Sequence, residues 1–171
     1  MIDILNTYES PLGKRPRIFW IVFILYFIII FIAYLTDIIL IAKVGIQEAI
    51  ADSPFGFILS LIDLAQPIIL YGFYRRSKIS WSLIPLVQGM YSAIFLKQCY
   101  LILASYGFLD LELNIANIIS VFFCIGCTSV TLLCFHPRLI NYFIITKKLR
   151  LIIIICMLII IIPIFIFFHT Y

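Results

Sequence analysis

The chain alternates five long apolar runs with short polar segments, and this alternation is its strongest pattern. Each run is close to or longer than the ~20 apolar residues that a helix needs to cross the hydrocarbon of a bilayer. The pattern therefore predicts an all-α, polytopic membrane protein, a bundle of four to five transmembrane helices in a single transmembrane domain. The predicted spans cover residues 18–42, 55–74, 81–106, 115–135 and 151–168 of the chain 1–171.

Composition indicates the same class of protein. Of the 171 residues, 65% are hydrophobic and 12% are charged, and the mean hydropathy is +1.21. A soluble domain is roughly half apolar and about a quarter charged, so a soluble core of this length could not cover so much apolar surface. The lipid bilayer is therefore the predicted partner. The net charge of +4 does not indicate nucleic-acid binding, because the basic residues lie at the ends of the apolar runs.

The charges in the polar segments predict the orientation of the chain. If the N-terminal tail, residues 1–17, is cytoplasmic and all five runs cross, one basic loop residue, Lys43, lies on the opposite side. An excess of Lys and Arg marks cytoplasmic segments. We therefore predict a cytoplasmic N-terminus and an external C-terminus in a bacterial cytoplasmic (inner) membrane. The basic residues predicted on the cytoplasmic side are Lys14, Arg15, Arg17, Arg75, Arg76, Lys78, Arg138, Lys147, Lys148 and Arg150.

Three ionisable residues lie within or at the end of apolar runs, where a lone charge costs about 2.5–3.5 kcal/mol on insertion scales. Counting from the cytoplasmic ends places Asp63 roughly 16 Å, Lys97 roughly 24 Å and Asp37 roughly 28 Å along their helices. Side chains tilt toward the N-terminus of their own helix, so Asp63 and Lys97 lean toward each other. We predict that these two residues form an ion pair, which would either fix the helix register or mark an ion or proton path. Asp37 is the alternative partner of Lys97, and Gln66 lies alongside.

Three of the runs carry stripes of small and polar residues at helical spacing. In the second run the stripe consists of Gly56, Ser60, Asp63 and Pro67, with Gln66 alongside. Steps of three and four residues place the members of a stripe on one helix face, and such faces let membrane helices approach closely. We predict that the stripe of the fourth run is a helix-packing seam, the alternative being a solute path. Its cysteines belong to that seam, because no basic or exposed setting activates their thiols. The seam consists of Asn117, Ser120, Cys124, Cys127, Thr131 and Cys134, and the stripe of the third run of Gly89, Ala93, Lys97, Tyr100 and Ala104.

The fifth run, residues 151–168, is the most hydrophobic and has no stripe of small or polar residues. Close packing between membrane helices uses residues of those kinds. We therefore expect this span to lie at the periphery of the bundle, with lipid around most of it.

No group of residues in the chain indicates catalysis. There is no glycine-rich phosphate loop, no zinc-binding H-E-x-x-H pattern and no nucleophile with a neighbouring base. We therefore predict a non-enzymatic protein without catalytic residues, cofactor or metal, and an enzyme that acts on lipid is the weakest hypothesis. The first hypothesis is an accessory or interaction protein, for example of the immunity type, that binds another membrane protein. The alternative is a small transporter or a proton or ion pathway through Asp63 and Lys97.

Overall fold

The computed structural model describes residues 15–44, 54–106 and 115–167, and every regular element within these ranges is an α-helix. Six helices follow one another, and five of them carry the predicted apolar runs. The remaining helix is a short one between the fourth and fifth runs, which the hydrophobic pattern does not predict. The helices are α1 (Arg17–Val44), α2 (Pro54–Tyr74), α3 (Lys78–Tyr106), α4 (Ile115–Cys134), α5 (Pro137–Phe143) and α6 (Lys147–Phe167).

Several of these helices have the length and apolarity of membrane spans. Within the described residues, three segments qualify: Arg17–Thr36, Lys78–Leu101 and Lys147–Ile166. A fourth span is added if α4 and α5 count as one bent helix pair, and α2 contributes a shorter apolar stretch, Leu61–Tyr74. The fold is therefore all-α, as predicted, with three to four helices long and apolar enough to cross a membrane.

Helices α1 to α4 form a ring around a common core. Helix α1 packs against α2 and α4, and α3 packs against the same two helices. Helix α6 packs on α3, and 11% of its apolar stretch Lys147–Ile166 is buried. The prediction that the fifth run lies at the periphery is therefore confirmed. The largest fully buried side chains are Trp81, Tyr26, Phe19, Phe73 and Ile84.

A tight turn joins α2 to α3. Arg76 adopts the left-handed conformation, with φ 62°. The Arg76 N–H donates to the Phe73 carbonyl, and the Ser77 N–H donates to the Gly72 carbonyl. This pair of hydrogen bonds is a Schellman motif, which satisfies carbonyls at the end of α2. The two helices approach closely here, because a Cβ on Gly72 would collide with Ser80 of α3.

Helix α5 begins at Pro137, with two residues between it and the end of α4, and the two helices meet at 61°. Proline disfavours the helical conformation in the residue before it, and His136, before Pro137, is extended (φ −63°, ψ 132°). The Nδ1 of His136 accepts a hydrogen bond from the Arg138 N–H over 3.2 Å, so this histidine caps α5. Ile144, at the other end of α5, is left-handed with φ 54°, which is an outlier for a β-branched residue.

Candidate functional site

A proline opens the backbone of α2 one turn after Asp63. Pro67 has no N–H, so the Asp63 carbonyl lacks the donor that an α-helix normally provides. The Tyr34 hydroxyl of α1 donates to this carbonyl over 2.9 Å and replaces the missing hydrogen bond. Pro67 and Tyr34 thus connect α1 to α2 at the position of the acidic residue.

The Asp63 side chain is held by two neutral donors. The Tyr91 hydroxyl of α3 donates to Oδ1 over 2.8 Å, and the Gln66 amide donates to the same oxygen over 2.6 Å. Gln66 lies three residues from Asp63 and hence on the same face of α2. No described residue donates a hydrogen bond to the other carboxylate oxygen, Oδ2. The carboxyl group is thus positioned through one oxygen, and the second oxygen is left for another partner.

A second glutamine extends this network into the centre of the ring. The Gln88 amide of α3 donates to Gln66 Oε1 over 3.3 Å. Gln88 has no exposed surface, and its own Oε1 accepts no hydrogen bond from the described residues. The buried Tyr26 hydroxyl of α1 is likewise without a hydrogen-bond partner among them. Leaving a buried polar atom unsatisfied costs about 1–3 kcal/mol. Gln88 lines the polar pocket between the helices and Tyr26 does not, so Gln88 Oε1 is the atom at which a ligand in that pocket would be stabilised.

A pocket of about 190 Å³ lies between α1, α2, α3 and α4, next to Asp63, Gln66, Gln88 and Tyr91. One water occupies about 30 Å³ in the liquid, whereas pockets for drug-sized ligands measure about 300–1,000 Å³. The pocket is therefore the right size for a few waters or a small ion with part of its water shell. Its polar lining consists of Thr36, Asp63, Gln66, Gln88 and Tyr91, and its apolar lining includes Ile29, Phe95, Ile119 and Phe123.

The predicted ion pair between Asp63 and Lys97 is wrong, because Lys97 contacts α6 instead. Lys97 Nζ donates to the Ile164 carbonyl over 3.1 Å and to the Phe165 carbonyl over 3.2 Å. Both carbonyls belong to the last turn of α6 as described, where helix carbonyls lack donors within the helix. A cation in this position also faces the negative end of the helix dipole. Lys97 therefore acts as a C-terminal cap of α6.

Helix geometry explains why the ion pair does not form. Tyr91 lies ten residues after Trp81, or about 15 Å along α3, which matches the depth of about 16 Å counted for Asp63. Lys97 lies six residues further, about 9 Å along the axis and about 120° around it. The counted depths placed Lys97 between the two aspartates, and the tilt of the side chain along the helix axis did not show which way it points around that axis. Tyr91 matches Asp63 in both depth and direction, and Lys97 matches it in neither.

The first three residues of the α3 stripe lie on the face that meets α6, whereas Tyr100 is 60% exposed and the side chain of Ala104 is outside the described residues. A Cβ added to Gly89 would lie 2.7 Å from the Met157 Cε of α6. Ala93, one turn later, is buried, and Lys97 follows after another turn. The stripe thus provides the close approach that its composition predicts, and the partner is the peripheral helix.

The residues of the predicted α4 seam lie on the helix that packs between α1 and α3. Cys127 lines the polar pocket, and the Thr131 hydroxyl donates to the Cys127 carbonyl over 2.8 Å. Beside the seam, the hydroxyls of Thr128 and Ser92 share a hydrogen bond of 2.6 Å that joins α4 to α3. The side chain of Asn117 is outside the described residues. The other members are buried or half-buried: Ser120, Cys124, Cys127, Thr131 and Cys134.

Sequence reasoning identifies Asp63 and Gln66 as polar residues of the interior but misses Tyr91 and Gln88. The missed pair has a recognisable signal, because the two residues are three positions apart on α3 at the depth of Asp63. Tyrosine and glutamine carry no charge, so a search for ionisable residues passes over them. The side chain of Asp37 is outside the described residues, and its predicted role as a partner of Lys97 stays a prediction.

No family model, no curated protein and no solved structure matches the chain. The function of the pocket is therefore inferred from its own residues.

Proposed function

We propose that the chain is an integral membrane protein with five membrane-crossing helices and a cytoplasmic N-terminus, and that its pocket at Asp63 binds a small monovalent cation or a proton. Five apolar runs in the sequence, three to four helices long and apolar enough to cross a membrane, and the excess of basic residues on one predicted side support the topology. The neutral partners of the Asp63 carboxyl group support the binding site. The protein is non-enzymatic in this proposal.

The observation that carries the proposal is the charge balance at Asp63. An ionised carboxylate within the bilayer is costly, and such residues normally have a partner that neutralises them. Lys97 is engaged at the end of α6, and the described donors to Asp63 are a phenol and an amide. A bound proton or a bound cation supplies the missing positive charge.

The ligands available in the pocket favour a monovalent ion over a divalent one. Calcium takes about 6–8 oxygen ligands and usually several carboxylates. Among the residues that the structure describes, the lining of the pocket has one carboxylate, and its other oxygens are neutral. Asp63 Oδ2 and Gln88 Oε1 are the first candidate ligands, because neither accepts a hydrogen bond from the described residues.

This proposal adopts the second of the three sequence-based hypotheses, the ion or proton pathway, and removes Lys97 from it. An ion or proton pathway needs a binding site within the bundle. Asp63, with the neutral side chains of Gln66, Tyr91 and Gln88 around it, supplies one. The accessory-protein hypothesis makes a different prediction, a partner present in stoichiometric amount. Copurification from native membranes tests that hypothesis separately.

Thermal unfolding of the purified protein in detergent tests the cation site. The salts are the chlorides of Li⁺, Na⁺ and K⁺, compared with N-methylglucamine chloride at equal ionic strength. A ligand at 100 times its Kd stabilises the folded state by about 2.7 kcal/mol, so the bound cation should raise the Tm. Asp63→Asn should abolish the rise. Asp110→Asn, which removes an acid from a predicted loop, should retain it.

A proton site gives a different result in the same experiment. The Tm then responds equally to all four salts, but it depends on pH in the wild type and in Asp110→Asn more than in Asp63→Asn. If Asp63→Asn and the wild type respond alike to both the salts and pH, the proposed site does not exist.

A further inference from the structure

An apolar groove runs between α1 and α2 on the outer surface of the ring. Its volume is about 540 Å³, and its described lining carries no charged side chain. Phe31 and Tyr71, on opposite walls, are 58% and 64% exposed, so the groove opens outward. The walls are formed mainly by Phe23, Phe27 and Phe31 of α1 and by Leu70, Tyr71 and Tyr74 of α2.

The groove has the length of one leaflet of a bilayer. Along α1 it extends from Phe23 to Tyr34, which is eleven residues or about 16 Å at the helical rise. The hydrocarbon core of a bilayer is about 30 Å thick, so one leaflet contributes about 15 Å. A single acyl chain, lying along the helices, therefore matches the groove from end to end.

Positive charge lies at one end of the groove. The Arg15 guanidinium is 3.9 Å from the centroid of the Tyr74 ring, and Tyr74 forms the end of the α2 wall. Arg15 donates a hydrogen bond to the Tyr74 carbonyl over 3.4 Å and also lies beside the side chain of Tyr142, and a guanidinium has five N–H donors. Arg17 and Arg75 are exposed at the same end of α1 and α2. This end of the groove therefore combines aromatic rings with a surplus of cationic donors.

We infer that the groove binds one anionic phospholipid, with an acyl chain between α1 and α2 and the phosphate at Arg15. A guanidinium matches phosphate oxygens with paired N–H donors, and basic residues at the membrane surface attract anionic lipids. The topology proposed above places Arg15 at the cytoplasmic leaflet. The inference rests on that membrane placement and is independent of the Asp63 site.

The groove fits an acyl chain better than a helix of a partner protein. A helix with its side chains is about 10–12 Å across, so a length of about 16 Å occupies more than about 1,200 Å³. That volume is more than twice the volume of the groove. Membrane helices also associate through small residues, whereas large aromatic side chains form this surface.

The two tryptophans of the chain make the inference testable by fluorescence. Trp20 is 42% exposed, and its ring lies 6.5 Å from the Tyr74 ring and 5.4 Å from the Arg15 guanidinium. Trp81 has no exposed surface. The protein is reconstituted in vesicles of unlabelled phosphatidylcholine. A small fraction of a lipid with brominated acyl chains is added, either brominated phosphatidylglycerol or brominated phosphatidylcholine. Bromine near Trp20 quenches its emission and so reports lipid at the end of the groove formed by Tyr74 and Arg15.

The wild type should bind the brominated phosphatidylglycerol about five-fold more strongly than the brominated phosphatidylcholine, the factor that corresponds to about 1 kcal/mol for one basic residue. Arg15→Gln should remove this preference, and Arg15→Lys should keep most of it because the charge is retained. Arg138→Gln removes an exposed basic residue of α5 that does not line the groove, and it should leave the preference unchanged.

Four results overturn the inference, and the last of them also overturns the membrane placement. The first is equal quenching by the two lipids in the wild type, and the second is an unchanged preference in Arg15→Gln. The third is protection of Trp20 from both lipids in protein isolated from native membranes with a bound partner, since the occupant is then a protein helix. If neither lipid quenches Trp20 in the purified protein, the membrane placement fails together with the lipid site, whereas equal quenching leaves that placement intact.

Discussion

Lys97 Nζ of α3 lies 3.1 Å from the Ile164 carbonyl of α6, and this contact joins residues 67 positions apart. Lys97 is 5% exposed, so the basic residue inside the third apolar run is buried between two helices. Its charge stabilises the end of the peripheral helix and does not neutralise Asp63. The two charged residues of the described interior therefore serve different purposes, one in packing and one in the polar pocket.

Replacing Lys97 with methionine should loosen the end of α6. The carbonyls of Ile164 and Phe165 would lose a charged donor, and a hydrogen bond to a charged group contributes about 1.5–3 kcal/mol. We expect hydrogen–deuterium exchange in the last turn of α6 to accelerate about tenfold, the equivalent of about 1.4 kcal/mol. Gln98→Met, at the exposed neighbouring position, should leave exchange unchanged. Unchanged exchange in Lys97→Met would show that the cap contributes nothing.

Asp63→Asn and Lys97→Met should have additive effects on stability. The changes in unfolding free energy caused by substitutions at well-separated residues without a shared partner usually add within about 0.5 kcal/mol. The described partners of Asp63 and Lys97 differ. An ion pair predicts the opposite, a double variant more stable than either single variant. Unfolding of the four proteins under one set of conditions measures the coupling. Recovery of stability in the double variant would restore the ion-pair prediction.

Tyr34→Phe should destabilise the protein less when Pro67 is absent. The Tyr34 hydroxyl donates a hydrogen bond to the Asp63 carbonyl, which Pro67 cannot do because it has no N–H. Its removal should cost about 0.5–1.5 kcal/mol. In a Pro67→Ala background the backbone N–H of residue 67 can satisfy the same carbonyl, so the cost should fall. Other contacts of Tyr34 cancel in this cycle, and an equal cost in both backgrounds would mean that the hydroxyl does not compensate for the proline.

Ile144→Gly should raise the Tm. A left-handed conformation costs an L-residue about 1–2 kcal/mol, and glycine adopts it without that penalty. Ile144 is exposed, so the substitution removes little packing. Ile155, also exposed but in the interior of α6, is the matched control, because glycine there should lower the Tm at a cost of about 1 kcal/mol. A lower Tm for both variants would show that the Ile144 conformation is not strained.

Reporter fusions test the proposed topology. Fusions after Lys78 and after Arg150 should report the cytoplasm, because the basic residues concentrate in those segments. A fusion at Tyr171 should report the opposite side if α6 crosses the membrane. A cytoplasmic signal at Tyr171 would reduce the number of spans to four.

The helices were predictable because an apolar run of about 20 residues leaves few alternatives to a helix. The peripheral place of α6 was predictable for a similar reason, since its isoleucines and leucines provide no stripe for close packing on several sides. The short helix α5 was not predictable from hydrophobicity. Its start depends on Pro137 and the cap at His136, which are local features of a polar connection.

The polar pocket was only half predictable. Asp63 stands out because a charge in an apolar run is rare, and Gln66 follows from its spacing on the same helix. The partner of Asp63 depends on the rotation of α3 about its axis, and one sequence does not determine that rotation. The first three residues of the α3 stripe, Lys97 among them, lie on the face toward α6, and this turns Tyr91 and Gln88 toward the pocket.

In the part of the chain that the structure describes, α6 packs mainly on α3, and this attachment sets an order for the assembly of the protein. A chain is synthesised from its N-terminus, so the four helices of the ring emerge from the ribosome before Lys147–Phe167 does. Until then the outer face of α3, with Gly89 and Lys97, has no α6 to cover it. The contact of Lys97 with Ile164 and Phe165 can form only after the far end of α6 has emerged. Closure of this contact is therefore a late event in biogenesis, and it separates a finished bundle from a nascent one.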